Sequence, residues 1–197
     1  MNKKIAITGG IGSGKSTVCQ MIRDMGYPVY SCDEIYDKIT NEKQYISEIA
    51  NVFPSTVQEG RIDREKLAQI VFNDESARDQ LNKIAHPLVM QNLFQQMNTG
   101  EKDLVFAEVP LLFEGNFEAL FDHVIVVQRD KKERMESVCM RDNKTMEQVI
   151  ARINTQFDYD TEKAKNYLKK INAFVIKNEG DLSALKNDIS RIIKRLL

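Results

Sequence analysis

The sequence contains no tryptophan, and only three cysteines, four prolines and two histidines among 197 residues. Cys19, Cys32 and Cys139 are far apart and fall in no CxxC or Cys/His ligand spacing. A disulfide framework is therefore excluded, and a structural zinc site has no support. An odd and sparse cysteine count fits a reducing compartment. Charge of one sign is absent too: 28 Lys and Arg stand against 29 Asp and Glu, for a formal net charge of −1. That balance excludes a surface built as a whole for nucleic acid or anionic membrane, though not a local basic pocket. No window approaches the ~18 consecutive apolar residues of a membrane helix. The short apolar run after Met1-Asn2-Lys3-Lys4 has neither the length nor the cleavage site of a signal peptide. The expectation is a cytoplasmic protein with no nucleic-acid, membrane or obligate protein partner.

What is present is an ordinary globular composition, 42% apolar and 29% charged, in a chain long enough to bury roughly 70% of its unfolded surface. One domain spanning residues 1–197 is expected. Short apolar runs alternate with longer amphipathic ones. Lys4–Thr8, Pro28–Cys32, Leu104–Val109, His123–Gln128 and Phe174–Lys177 read as strands, several apolar on both faces as buried parallel strands are. Helical patterns lie between them, from Lys15–Met25 to Asp181–Leu197, where Leu182, Leu185, Ile189, Ile192 and Leu196 share a face and Asp181 is the N-cap. This order predicts a three-layer α/β fold with a five-stranded parallel sheet. Two stretches break the alternation: a helical insert from about residue 60 to 98, interrupted at His86-Pro87, and a charge-rich helical stretch from about 130 to 170.

The chemistry is concentrated in Gly9-Gly10-Ile11-Gly12-Ser13-Gly14-Lys15-Ser16, a full G-x-x-x-x-G-K-[ST] match between a strand and a helix. Glycines let successive amides turn inward toward phosphate oxygens, and the helix N-terminus adds its partial positive charge. Lys15 can reach the β- and γ-phosphates of ATP, and the Ser16 hydroxyl suits Mg²⁺. These features define a P-loop NTPase fold, but not a reaction. A GTPase would need an Asn-Lys-x-Asp; Asn143-Lys144-Thr145-Met146 lacks the acid. Glu108 could serve as the strand-end acid of a motor ATPase, but the chain is short for that class. A small-molecule kinase fits better, and a nucleotide-binding module without catalysis is the remaining alternative.

A kinase needs a carboxylate at the carboxyl end of the second strand, where Asp33 stands, to take the proton of the attacking hydroxyl or to help hold Mg²⁺ through water. As an alternative, Asp33 caps a helix over 34–39. Arg134, Arg141 and Arg152 are equal candidates for a lid cation. His86 reads equally as a core or capping residue beside a helix-breaking proline. Met135, Met140 and Met146 read as helix packing, Cys32 as a packed strand residue, and His123 as the start of a strand.

The run Ile7-Thr8-Gly9-Gly10 through Thr17 resembles the opening of bacterial dephospho-CoA kinases. Further segments agree in order: Asp33; Gly60-Arg61-Ile62-Asp63-Arg64 with Leu67-Ala68; Ala85-His86-Pro87-Leu88; and Val109-Pro110-Leu111-Leu112-Phe113-Glu114. Arg141-Asp142, Arg152-Ile153 with Gln156, and Asn178 before Gly180 follow, so the resemblance spans nearly the whole chain. It implies transfer of the ATP γ-phosphate to the ribose 3′-hydroxyl of dephospho-CoA, the last step of coenzyme A synthesis. By this resemblance Asp33 is the general base, and Lys15 and Arg141 stabilise the phosphoryl charge. Gly10, Ile11, Gly12, Ser13, Gly14, Lys15, Ser16 and Thr17 cradle ATP, with Ser16 toward Mg²⁺. Thr8, Arg64, His86, Pro110, Leu111 and Glu114 line the acceptor side, the insert forms the CoA-binding side, and the charged stretch forms the lid. There are departures. Ser31-Cys32-Asp33 replaces the family's Asp-Ala-Asp, Asp37 stands where a basic residue is common, Glu108 replaces an Asp, and Ser137 stands where a lid Arg is usual, with Arg134 a substitute for it.

Overall fold

A computed structural model describes residues 2–99 and 102–197; Met1, Gly100 and Glu101 lie outside this set. The chain divides into two compact units, residues 1–30 with 97–197, and Ser31–Gln96. In chain order the elements of the first begin with β1 (Lys3–Thr8), α1 (Lys15–Asp24) and β2 (Val29–Ser31). The second holds α2 (Cys32–Ile39), α3 (Lys43–Val52), β3 (Val57–Gln58), β4 (Arg61–Ile62), α4 (Arg64–Asn73) and most of α5 (Glu75–Asn98). The first resumes with β5 (Leu104–Glu108), β6 (His123–Gln128), α6 (Lys131–Asp142), α7 (Met146–Asn154), α8 (Glu162–Lys170), β7 (Phe174–Lys177) and α9 (Leu182–Leu196).

All five expected strands form one sheet in the order β2-β5-β1-β6-β7, parallel at β1–β5, β1–β6 and β6–β7. The chain leaves β1 for the β2–β5 side and then crosses to the β6–β7 side. The carboxyl end of β1 is therefore the topological switch point, where open α/β sheets bind ligands. One face of the sheet packs Ile5, Ile7, Phe106, Ile125 and Val127 against Val18 and Ile22 of α1 and Leu185, Ile189, Ile193 and Leu196 of α9. The alternate residues Ala6, Val105, Ala107, Val124 and Val126 are buried as well, so both faces are covered, as in a three-layer α/β fold. Lys3 donates from Nζ to the terminal carbonyl of Leu196 at 2.6 Å, tying the last turn of α9 to β1.

Several local readings change. Asp181 does cap α9, accepting from the amides of Ser183 and Ala184. Leu182, however, is 58% exposed, because the apolar stripe turns away from the core in the first turn. Cys32 is buried but opens α2 instead of extending β2. Met135 packs in a small cluster with Ile11, Val138, Val149 and Ile153, whereas Met140 is 82% exposed and Met146 is also exposed. Helical packing accounts for only the first of these methionines.

In the second unit, α5 runs unbroken through Pro87. Proline there removes one helix hydrogen bond at a cost of about 3 kcal/mol. Burial of Ala85, Val89, Met90 and Leu93 on either side offsets that cost and keeps the helix continuous. A short antiparallel hairpin, β3–β4, precedes α4. Its two turn residues, Glu59 (φ 49°) and Gly60 (φ 73°), are both left-handed, the requirement of a two-residue hairpin turn. The compact unit that holds this hairpin runs from Ser31 to Gln96. Replacing Ile189 by Ala, at the centre of the α9 contact, is expected to cost about 3 kcal/mol; urea unfolding of wild type and I189A measures it.

Candidate active site

The loop Gly9–Gly14 joins the end of β1 to α1 at the switch point. Gly14 caps α1 with φ 91° and ψ 24°, a left-handed conformation that glycine adopts without strain, and so turns the chain directly into the helix. At Gly12 the constraint is space as well as conformation. With φ 77°, a Cβ there would lie 2.7 Å from the carbonyl oxygen of Arg134. A Cβ on Gly10 would strike the Arg134 guanidinium, and one on Gly14 the Asn178 amide. The loop is thus walled by its own protein, leaving its amides and the first turn of α1 as the inner surface.

Polar groups of neighbouring segments fix the loop. Lys15 folds back over it, donating from Nζ to the carbonyls of Gly9 at 2.8 Å and Gly10 at 3.2 Å. Asn178, which follows β7, donates to the Ser13 carbonyl at 3.0 Å. The Ile11 amide donates to Gln156 Oε1 at 2.9 Å. Thr8 is fully buried and shares a 3.3 Å hydrogen bond with the Tyr159 hydroxyl, whose pKa burial pushes up, so it stays protonated. Ser16 and Thr17 are exposed in the first turn of α1. At the carboxyl end of β5, Glu108 pairs in register with Ile7 of β1, and the Cys19 thiol beside it has its pKa raised by burial and then by that carboxylate.

The residues of the Pro110–Glu114 loop divide. Leu112 and Phe113 are buried, Leu111 is exposed, and Glu114 accepts from the amide of Phe157 at 2.8 Å. Phe113 also packs on Phe157, Tyr159 and Tyr167. The segment 156–160 therefore touches the P-loop, the end of β1 and the Pro110–Glu114 loop together. Sequence reading placed Gln156 and Asn178 in matching segments but gave neither a role. Tyr159 was missed, since a lone tyrosine after a helix carries no spacing signal.

The three candidate arginines separate clearly. Arg134, on α6, is 6% exposed and lies against Gly10 and Gly12, with Asp160 at 3.5 Å. Arg141 is exposed at the end of α6 and makes a bidentate pair with Asp142 at 2.7 and 3.0 Å, a contact that lowers the Asp142 pKa. Arg152 is exposed in the last turn of α7. Asp33, Arg64 and His86 belong to the second unit. Asp33 occupies the first turn of α2, and the cap is Ser31, whose hydroxyl accepts from the Glu34 amide, so the N-cap reading of Asp33 does not hold. Arg64 pairs with Asp37 at 2.8 Å and also donates to the Thr40 hydroxyl, which accounts for the acid standing at a position often basic in the family. His86 is half-buried, and burial lowers its pKa, so the imidazole is neutral at pH 7.

A walled glycine loop at the switch point of this sheet, with a lysine at the helix start and an arginine beside it, defines a P-loop phosphotransferase. The family model for dephospho-CoA kinase matches residues 3–184. The chain is 36% identical to the dephospho-CoA kinase of Bacillus cereus over 99% of this chain and 98% of that one. It is 35% identical to the dephospho-CoA kinase of Thermus thermophilus over 98% and 91%. A crystal structure of a Thermus thermophilus protein superposes with a TM-score of 0.84 at 33% identity, covering 100% of this chain and 98% of that chain. The dephospho-CoA kinase from Campylobacter jejuni superposes at 0.69 with 27% identity, over 100% and 98%. The chain belongs to the dephospho-CoA kinase family, ATP-dependent kinases of the last step of coenzyme A synthesis.

Gly12→Ala is expected to lower stability by about 1–3 kcal/mol through the left-handed φ and the collision with the Arg134 carbonyl. It should weaken ATP binding at the same time. Thermal unfolding with and without ATP checks both effects.

Proposed function

We propose that the protein transfers the γ-phosphate of ATP to the ribose 3′-hydroxyl of dephospho-CoA, with the reaction carried by Lys15, Asp33 and Arg141. The observation that carries this reading is the walled P-loop with Lys15 already folded over it, in a chain matching the family along nearly its whole length. The phosphates of ATP lie along the amides of residues 10–17, at the positive end of α1. Lys15 exchanges its two carbonyl contacts for β- and γ-oxygens. A cavity of about 320 Å³ beside the loop, lined in part by Gln128, Arg129 and Asn178, accommodates the nucleoside.

Asp33 follows β2 directly in the chain, at the first turn of α2. As general base it accepts the proton of the 3′-hydroxyl while that oxygen attacks the γ-phosphorus in line. The bond to the β–γ bridging oxygen breaks and ADP leaves. Arg141, released from Asp142 as the lid closes, neutralises charge on the transferring group. By the family resemblance, Thr8, Pro110, Leu111 and Glu114 of the first unit, and Arg64 and His86 of the second, are assigned to the acceptor, with buried Thr8 acting only through its Tyr159 contact. Exposed Leu111 offers an apolar contact, and neutral His86 a hydrogen-bonding one.

The donor set fits Mg²⁺ bound together with ATP. The described residues contain no cluster of three or more His, Cys, Asp or Glu, and a magnesium ion shared with substrate phosphates needs few protein ligands. Ser16, exposed at the start of α1, would hold it from the protein side through its hydroxyl. Bound there, the ion would supply positive charge to offset that of the phosphates. Among the described residues no helix is long and apolar enough to cross a membrane. The free cysteines and the soluble substrates support a reducing cytoplasm as the working compartment.

ADP release with dephospho-CoA, set against AMP, CMP and shikimate, tests the acceptor; turnover is expected with dephospho-CoA alone. Asp33→Asn is expected to lower kcat by about 10²–10⁴-fold with ATP still bound; unchanged turnover would remove Asp33 from the mechanism. Lys15→Ala is expected to lower kcat/KM for ATP by at least about 10²-fold, and an enzyme as active as wild type would contradict the P-loop assignment.

A further inference from the structure

Arg134 has a role beyond filling space. Its residue is 6% exposed, yet its Nε is buried without a hydrogen-bond partner. Such an atom on a guanidinium is costly, since the charged group loses water and regains nothing at that nitrogen. Its one carboxylate neighbour, Asp160, meets Nη2 at 3.5 Å and is itself half in solvent. Nη1 lies against Gly10, close enough that no side chain fits there. A second orphan stands in the same loop: Ser13 Oγ, buried and also unpartnered. A cation held against the glycine loop, with its spare donor and a spare hydroxyl on residues lining one small cavity, lacks one component, an anionic oxygen.

We infer that Arg134 is a phosphate-contacting residue of the P-loop, whose Nε and Nη donors, with Ser13 Oγ, complete an anion site for the polyphosphate of the nucleotide. This rests on the nucleotide site proposed above and adds to it a cation already in place. Arg141 must give up a bidentate partner before it can act, whereas Arg134 sits at the loop with only a long, partly solvated contact to Asp160. Asp160 is a distant resting counter-charge at 3.5 Å, which phosphate oxygens outcompete.

The test compares the full-length wild type with Arg134→Gln, Arg134→Lys and Asp160→Asn, measuring equilibrium binding of inorganic pyrophosphate and ATP, thermal unfolding, and kcat and KM for ATP. Arg134→Gln is expected to bind both ligands at least about ten-fold more weakly. Arg134→Lys keeps the charge but loses the Nε donor and is expected to fall between the two. Asp160→Asn is expected to bind pyrophosphate as tightly as wild type or more so. Pyrophosphate affinity within about two-fold of wild type in both Arg134 variants overturns the inference, as does a loss in Asp160→Asn equal to that in Arg134→Gln, which marks the pair as structural. If Arg134→Gln does not fold, the lysine and Asp160 variants decide on the same criteria. Pyrophosphate binding needs no acceptor, so wild type inactive toward dephospho-CoA would defeat the kinase assignment and leave this site standing.

Discussion

The structure depends on the packing of a loop that has no room for a side chain at Gly10, Gly12 or Gly14. Gly10, Gly12 and Gly14 are held against Arg134, Val138 and Asn178, so side chains are excluded at these positions and the backbone itself forms the loop's surface there. Amides converging at a helix N-terminus repel one another and attract anions. Lys15 relieves part of the strain on the opposite side by satisfying two loop carbonyls. A parallel sheet with the switch point at β1 is what brings β6, β7 and α6 close enough to build this wall.

The second constraint is the segment from Gln156 to Asp160. It supplies an acceptor to the Ile11 amide, a hydroxyl contact to Thr8, a carboxylate to Arg134 and a peptide donor to Glu114. Aromatic contacts of Phe113 with Phe157 and Tyr159 add apolar burial to these polar links. The P-loop, the Pro110–Glu114 turn and α6 are thus joined through one short stretch of chain.

How much was legible in advance differs by residue. The strands could be read because Val124–Val127 and Leu104–Ala107 are buried on both sides, and a doubly buried strand is an apolar run. The P-loop could be read because its backbone demands glycine at fixed places. Pro87 misled because a single missing N–H is a local penalty, while the burial that outweighs it comes from residues on both sides. Asp33 looked like a cap because Asp caps helices; Ser31, two residues earlier, already does so. The β3–β4 hairpin turns on Glu-Gly, a weaker signal than Asn-Gly, and its strands are two residues each.

By itself the sequence determined the order of strands and helices, the phosphate-binding loop and the family, because each is written in local spacing and in residues that only one backbone geometry accepts. It also offered Arg134, Arg141 and Arg152 as equal candidates for a phosphate-facing cation. Only the tertiary structure decided among their surroundings: Arg134 buried on the loop with a donor to spare, Arg141 engaged by Asp142, and Arg152 in solvent. All three are arginines on charged helices and look alike in sequence. What separates them is which side of a helix meets the P-loop, and that is set by packing between segments more than a hundred residues apart.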